Sequence, residues 1–214
     1  HNCLVGSEMC IRDSRYTGAK LRITRRLGDL PGLTSKKSKL TQRPGQHGAT
    51  STKLTQYAVR LEEKQKLRFN YGLSEKQLMN YIRQAKKIKG ATGSLLLQLL
   101  EMRLDNVIFR LGMAPTIAAA RQIVSHKHIT INGTCVSIPS YQCQPGDIIK
   151  IKDATVSKNL VTKNLELPSL AQVPNNLEFD KKTLTSKVLG IIDREWVALK
   201  LNELFVIEFY SRKI

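Results

Sequence analysis

The sequence predicts an α+β protein in which helices precede a small antiparallel sheet. Apolar residues at helical spacing, with a capping box, predict helices over about 52–99. The pair Asn132-Gly133 between two short apolar runs predicts a hairpin, the unit from which antiparallel sheets are built. Before the helices, residues 14–51 are basic, rich in Gly and Pro and without apolar periodicity, which predicts an extended tail.

The charge of the chain is large and unevenly distributed. Its 214 residues include 35 Lys+Arg and 17 Asp+Glu, for a net charge of +18. Residues 14–100 carry 19 basic and 4 acidic side chains, whereas residues 101–214 carry 15 and 11. Such a field favours a polyanionic partner, with an affinity that falls as salt rises. No stretch approaches the roughly 18 apolar residues of a membrane span, so no membrane partner is expected.

The cysteines are too sparse for a disulfide framework, which indicates a reducing compartment. A zinc site that combines His126 and His128 with Cys135 and Cys143 would match no standard ligand spacing. We therefore expect neither a metal nor another cofactor. Residues 1–13 lack the features of a signal or transit peptide, and we expect them to be a non-native leader.

Basic side chains recur along the predicted helices. Arg60, Lys64 and Arg68 fall at i, i+4 and i+8, so they form one basic stripe. Arg83 and Lys87 are also four residues apart and share the outer face of the next helix. Both sets are candidates to lie along nucleic-acid backbones.

The second of these helices has clear boundaries. Ser74 and Gln77 form a capping box at its start, and Gly90 is placed to stop it. The apolar positions expected to face the core are Leu78, Tyr81, Ile82, Ala85 and Ile88. The helical spacing of Tyr57 and Tyr81 favours core packing over base stacking.

The run Arg103-Leu104-Asp105 allows two interpretations. It can carry the catalytic aspartate of a pseudouridine synthase. It can also stand at the start of a small RNA-binding module, in which the carboxylate only stabilises the start of a helix. No second polar constellation converges on Asp105, and no Gly-rich nucleotide loop follows a strand. The sequence therefore favours a cap at Asp105 and a protein that is not an enzyme.

Two short helices lead from this run into the hairpin. Arg103 and Arg110 lie on the polar side of the first helix. Thr116 caps the second, in which Ala120, Ile123 and Val124 face inward and Arg121 faces out. Pro145-Gly146-Asp147 marks a further turn before a strand-like run. Two helices and a small sheet would make a compact unit facing RNA.

Three strings in this region resemble the S-four (S4) RNA-binding module: RLDNVIFRLGMAP, ARQIVSHKHITING and IPSYQCQPGDIIKI. Five others extend the resemblance to the small-subunit ribosomal protein S4 family, above all its plastid form: SRYTGAKLRITRRLGDLPGLTSK, RPGQHG, RLEEKQKLRFNYGLSEKQL, KGATGSLLLQLLEMRLDN and REWVALKLNELFVIEFYSRKI. Many bacterial members place four zinc-binding cysteines in the N-terminal region, and residues 14–100 hold none.

The resemblance implies a structural constituent of the small ribosomal subunit in the plastid (chloroplast) stroma. It implies a primary binder of small-subunit rRNA that grips a junction in the 5′ domain early in assembly. It also implies a place beside proteins S3 and S5, where mRNA enters. The implied domains are a tail at 14–51, a helical domain at 52–99 completed by 190–214, an inserted S4 module at 100–160 and a connecting segment at 161–189.

The residues expected to contact rRNA come from the tail, the helices and the corner of the module. They are Arg15, Tyr16, Lys20, Arg22, Arg25, Arg26, Lys36, Lys37, Lys39, Arg43, Gln46, His47, Lys53, Arg60, Lys64, Arg68, Arg83, Lys87, Arg103, Arg110, Arg121, Lys127, His128 and Asn132. Phosphate contacts carry affinity without identifying the RNA. A free-standing RNA chaperone or translational regulator therefore stays open as an alternative, as does a fragment of an RNA-modifying enzyme.

Overall fold

A computed structural model describes residues 16–40, 42–46, 48, 55–166 and 173–211. Within these ranges the helices are α1 (Lys20–Leu27), α2 (Gln56–Asn70), α3 (Glu75–Lys87), α4 (Thr92–Glu101), α5 (Leu104–Arg110), α6 (Ile117–Ser125), α7 (Thr155–Leu165) and α8 (Glu203–Ser211). The strands are β1 (Ile129–Ile131), β2 (Thr134–Cys135), β3 (Ile148–Ile151), β4 (Leu177–Asp180) and β5 (Thr185–Val188). All pairings among these strands are antiparallel, which confirms the α+β class.

The chain divides into two compact units. Among the described residues, the first unit holds those up to Leu96 together with those from Leu199 onward, and the second holds those from Leu97 to Ala198. The first boundary lies inside α4, so this helix contributes one half to each unit.

Helix α8 packs on α2 in the first unit. Arg60 Nε lies 2.6 Å from Glu208 Oε2, and the backbone N–H of Asn202 donates to Glu63 Oε2 at 2.9 Å. Val206 and Tyr210 of α8 are fully buried. The end of the chain therefore completes the helical core of this unit.

Helix α3 begins with the capping box that the sequence predicts. Ser74 Oγ accepts the Gln77 N–H at 3.2 Å, and Gln77 Oε1 accepts the Ser74 N–H at 3.2 Å. The helix buries Leu78, Ile82 and Ala85. The expectation that Ile88 faces the core is wrong: Ile88 is exposed, because the helix ends at Lys87 and the backbone of Ile88 is extended.

The basic segment before α2 is not extended throughout. It contains α1 and buries Leu27, Leu30 and Leu33. The backbone N–H of Gly32 donates to Asn70 Oδ1 at 2.9 Å, which ties the segment to the end of α2. The prediction of an extended tail is therefore corrected for residues 20–34, where three leucines supply apolar surface that offsets the ordering entropy.

The second unit builds its core between α5, α6 and the sheet. The strand order is β2-β1-β3-β5-β4, with register pairs that include Ile131↔Ile149 and Ile148↔Lys187. The inward residues of α6 are buried as predicted: Ala120, Ile123 and Val124. The Thr116 hydroxyl caps this helix by accepting the Ala119 N–H at 3.2 Å.

The hairpin between β1 and β2 turns at Asn132-Gly133, as predicted. Both residues have positive φ, 50° and 84°, which the tight turn requires. Asn132 also joins the hairpin to the start of β3. Its Nδ2 donates to Asp147 Oδ1 at 2.9 Å, and its Oδ1 accepts the Ile148 N–H at 2.9 Å.

Replacing Asn132 by alanine is expected to lower the free energy of unfolding by about 2–3 kcal/mol, because two hydrogen bonds are lost and alanine tolerates positive φ poorly. Asn132→Gly removes the same hydrogen bonds but adopts the backbone conformation freely, so it is expected to cost about half as much. Urea unfolding of both variants measures the difference. Equal losses would mean that the backbone conformation contributes nothing.

Two expected segment boundaries need correction. Residues 161–189 were expected to connect two parts of the chain, but residues 177–188 form β4 and β5 of the sheet. Alternate residues of these strands face inward, with Leu177, Ser186 and Val188 buried. Residues 190–198 lie in the second unit, so from the expected 190–214 only the part from Leu199 belongs to the first unit.

Candidate RNA-binding surface

The segment around α1 exposes much of its charge. The exposed candidates here are Arg22, Arg26, Lys36, Lys37, Lys39, Arg43 and Gln46. Lys20 is half-buried, and Tyr16 packs its ring edge-on against Phe69 at 5.4 Å between centroids. Arg25 is also half-buried and donates from Nε to the Gln42 carbonyl at 3.0 Å. The candidates Arg15, His47 and Lys53 lie outside the described residues.

The predicted stripe on α2 is largely occupied by ion pairs inside the protein. Lys64 is 5% exposed, and its Nζ lies 3.0 Å from both carboxylate oxygens of Glu75. Arg60 pairs with Glu208, and Arg68 donates from Nε to the Leu73 carbonyl at 3.3 Å. The face expected to meet RNA therefore packs against α8 and the start of α3. The interpretation of the stripe as a free basic surface is wrong.

A different cluster is exposed toward the end of α3. Arg83 and Lys87 are exposed, as predicted for an outer face, and so are Lys86 and Lys89. Sequence reasoning missed these two neighbours, although the run KKIK was a visible signal. Four exposed cations therefore fall within seven residues, three of them on α3 and Lys89 just after its end.

Asp105 is clamped by two arginines. Arg103 donates to it from Nε and Nη2 at 3.0 and 2.8 Å, and Arg121 Nε donates to Oδ2 at 2.7 Å. The backbone N–H of Asn106 donates to Oδ1 at 2.9 Å, and Asp105 is 1% exposed. The first-turn position is confirmed. Asp105 is therefore part of a buried ion cluster with Arg103 and Arg121.

Arg110 is also buried, beside a second acidic residue. Its Nη2 donates to the Trp196 carbonyl, and its Nε lies 3.8 Å from Glu101 Oε2. Glu101 in turn accepts from Asn106 Nδ2 at 2.6 Å. In the string EMRLDNVIFR two acidic residues alternate with two basic ones. This alternation was the available sequence signal that these side chains pair with one another.

The expectation that three arginines of the module face RNA therefore needs correction. Arg103, Arg110 and Arg121 are 3%, 4% and 8% exposed. Arg121 in particular points inward, where its Nε lies 2.7 Å from Asp105 Oδ2. These side chains hold α5 and α6 in place instead of presenting charge.

The module's corner supplies fewer free groups than expected. Lys127 is exposed, with φ at 62°. His128 is half-buried, with Nδ1 2.9 Å from Ser157 Oγ, and the Asn132 amide is held in the hairpin. Sequence reasoning missed Lys150 and Lys187, which alternate outward from β3 and β5. Period-two alternation in DIIKIKD was the available signal for Lys150.

The expectation that Tyr57 packs in the core is also corrected. Tyr57 was expected in the core but is 61% exposed, with its ring centroid 5.8 Å from that of Phe209. It lies in the first turn of α2, where a helix has few neighbours to cover it. Tyr81 is half-buried.

The described part of the chain offers neither a metal-binding cluster nor a membrane-spanning helix. No group of three or more His, Cys, Asp or Glu side chains there could hold a metal ion. None of the helices described is long and apolar enough to cross a membrane. Cys143 is buried, and burial raises the pKa of its thiol to about 12, whereas Cys135 is exposed.

The Glu75 carboxylate lies among three partners in the first unit. Tyr210 donates its hydroxyl to Oε1 at 2.5 Å, in addition to the contacts from Lys64 and Arg68. Burial alone raises the pKa of Glu75. The hydrogen bonds from Tyr210 and Lys64, with the charges of Lys64 and Arg68, outweigh it and hold the pKa below its ordinary value of 4.5.

This lowered pKa predicts a pH dependence of stability. A carboxyl whose pKa is lower in the folded state contributes stability that is complete above the unfolded pKa of about 4.5 and is lost as the pH falls through the folded value. Glu75→Gln is expected to reduce the loss of stability in acid, and Tyr210→Phe is expected to reduce it in part. Urea unfolding at a series of pH values measures this, and unchanged pH profiles would contradict it.

Comparisons with known proteins agree with this architecture. Residues 15–101 match the family described as "Ribosomal protein S4/S9 N-terminal domain", and residues 102–149 match "S4 domain". The chain is 77% identical over 201 residues to small ribosomal subunit protein uS4c of Emiliania huxleyi, covering 94% of this chain and 100% of that protein.

Two further relatives are similar over most of their length. Protein uS4c of Pyropia yezoensis is 64% identical over 200 residues, which cover 94% of this chain and 100% of the relative. Protein uS4 of Nostoc punctiforme is 60% identical over 200 residues, which cover 94% of this chain and 99% of the relative. With both domains matched and such identity over almost its whole length, the chain belongs to the small ribosomal subunit protein uS4 family.

Proposed function

We propose that this chain is a structural constituent of the small ribosomal subunit and a primary binder of small-subunit rRNA. In this role it grips a junction in the 5′ domain, nucleates assembly there and helps shape the place where mRNA enters, beside proteins S3 and S5. The relatives named uS4c support a plastid ribosome, in the stroma, as its location. The protein acts by binding and not by catalysis.

The exposed cations of the first unit carry this proposal. Lys36, Lys37 and Lys39 follow α1, and the cluster at the end of α3 adds Arg83 and Lys87. They belong to residues 14–100, where 19 basic side chains face only 4 acidic ones. The pairs Lys64–Glu75 and Lys66–Glu63 remove equal numbers of both signs, so the excess of basic side chains remains to neutralise phosphates.

The mechanism divides the cations into two classes. Exposed lysines and arginines contact the RNA backbone, and RNA is read there mainly by its shape. Buried arginines of the second unit fix α5 and α6, so that the exposed groups keep their positions. The carboxylate of Asp105 is neutralised by two guanidinium groups and inaccessible, which supports a structural role for this residue.

A salt titration of binding to the 5′ domain of matching small-subunit rRNA, with bulk tRNA as competitor, tests the proposal. We expect binding that resists tRNA and a steep dependence of log affinity on log salt, with roughly one phosphate contact per unit of slope. Equal affinity for the two RNAs would contradict a junction-specific role. It would leave a chaperone or regulator that binds RNA generally.

A further inference from the structure

A pocket in the second unit is not used by the proposed phosphate contacts. It has a volume of about 230 Å³ and lies between α6 and α7. Its apolar wall is formed by Ala119 and Ile123 of α6 and by Leu160 of α7. Pockets for drug-sized ligands measure roughly 300–1,000 Å³, so this one suits a single planar ring system rather than a whole nucleotide cofactor.

The polar side of the pocket is held in place by the protein. His126, His128 and Asn164 line it, and the two imidazole centroids are 6.1 Å apart. Asn164 Nδ2 donates to the Met113 carbonyl at 2.9 Å, which orients its amide. His128 Nδ1 lies 2.9 Å from Ser157 Oγ, which orients its ring.

The chemistry of this lining fits a nucleobase. Imidazole rings offer stacking faces, and an oriented amide can hydrogen-bond to the edge of a base. Aliphatic side chains on the opposite wall remove the flat ring from water. The two imidazoles come from the link between α6 and β1 and the amide comes from α7, so a single ring in the pocket can contact both elements.

The surroundings of the pocket fit the phosphates that accompany a base. Lys127 is exposed between the two histidines in sequence. Lys163 is exposed and three residues after Leu160, so it lies on the same side of α7. Cations on both elements disfavour a cationic ligand and favour an RNA strand that passes the pocket.

We infer that this pocket receives one unpaired nucleobase of a bound RNA strand, while Lys127 and Lys163 contact the adjoining phosphates. The inference rests on the proposed function. It adds a contact to a base, whereas the proposed function involves contacts to phosphates only. The base is splayed out of its helix and placed between the imidazole side and the aliphatic wall.

Filling the pocket separates base contacts from phosphate contacts. The full-length wild type is compared with Ala119→Phe, which places a ring in the pocket, and with Ala118→Phe, a control at the exposed neighbouring position of α6. Binding is measured to octauridylate and to a ribose-phosphate octamer without bases. Both ligands carry the same phosphates, so the ratio of their affinities reports the contribution of the bases.

We expect wild type and Ala118→Phe to prefer octauridylate by roughly fivefold to a hundredfold, as stacking of a base provides. Ala119→Phe should reduce this preference strongly while the salt slope stays unchanged. Equal preferences in Ala118→Phe and Ala119→Phe would overturn the inference.

Photocrosslinking of the wild type to an octamer containing 4-thiouridine gives a second measurement that depends on no variant. Crosslinks within residues 115–128 or 155–165 are expected, and their absence from both segments would overturn the inference. The rRNA competition described above tests the proposed function separately from the pocket. Loss of the preference for rRNA over tRNA, with crosslinks at the pocket retained, would reject the proposed function and keep the pocket.

Discussion

Replacing Asp105 by asparagine is expected to destabilise the second unit by about 3–5 kcal/mol. The substitution keeps the shape of the side chain but removes the negative charge between Arg103 and Arg121. Two guanidinium groups, 3% and 8% exposed, would then lose the carboxylate that both of them contact. Water cannot compensate at this depth, so the cost of burying their charges is no longer offset.

Urea unfolding measures this effect as a lower midpoint at unchanged slope. Asp153→Asn is the matched control: Asp153 also pairs with a cation, Lys158 at 2.9 Å, but its side chain is 92% exposed. No measurable change is expected there, because water screens the pair. If both substitutions had the same small effect, the buried cluster would not stabilise the fold.

A triple variant tests whether the effect of Asp105 on stability comes from charge balance or from geometry. Arg103→Met and Arg121→Met combined with Asp105→Leu remove all three charges at once, and apolar groups replace a buried ion cluster at little cost in other proteins. The triple variant is therefore expected to be more stable than Asp105→Asn alone. The opposite order would mean that geometry, and not charge balance, makes Asp105 necessary.

Neutralising the exposed lysines after α1 is expected to have the largest effect on RNA binding. Exchanging Lys36, Lys37 and Lys39 for glutamine should reduce the slope of log affinity against log salt by about 2–3. At physiological salt this corresponds to a loss of affinity of roughly a hundredfold for 5′ domain rRNA. Stability should be unchanged, since all three side chains are exposed.

A variant with the same change of net charge controls for long-range attraction. Lys158, Lys181 and Lys182 are exposed lysines of the second unit. Their joint exchange for glutamine is expected to change the salt slope much less than the first triple variant does. Equal slopes in the two variants would show that net charge, and not contact by the segment after α1, determines the affinity.

The sequence predicts best those features that a few consecutive residues determine. The capping box needs only Ser74 and Gln77, and the hairpin needs only Asn132 and Gly133, so both are found where the sequence places them. The cap by Thr116 is local in the same sense. The position of Asp105 in the first turn of α5 was also predicted on local grounds, although its two arginine partners were not foreseen.

The errors share one physical cause, which is that a side chain's partner can be distant in sequence. Arg60 meets Glu208 across 148 positions, and periodicity along α2 contains no information about that contact. Lys64 likewise pairs with a residue of another helix. A regular spacing of cations therefore shows that they share a face, but not whether the face meets solvent or another helix.

In the second unit, the buried cations and the exposed cations are of different residue types. Among its described residues, Arg103, Arg110 and Arg121 are buried, whereas the exposed cations are lysines: Lys127, Lys150, Lys152, Lys158, Lys163, Lys181, Lys182 and Lys187. Guanidinium groups suit buried, bidentate pairing, whereas an ammonium group stays hydrated. Acylating agents react with amines and leave guanidinium groups intact. Such a reagent would therefore neutralise this unit's exposed cations in one step, whereas the half-buried Arg194 and the internal arginine ion pairs, and with them the fold, remain.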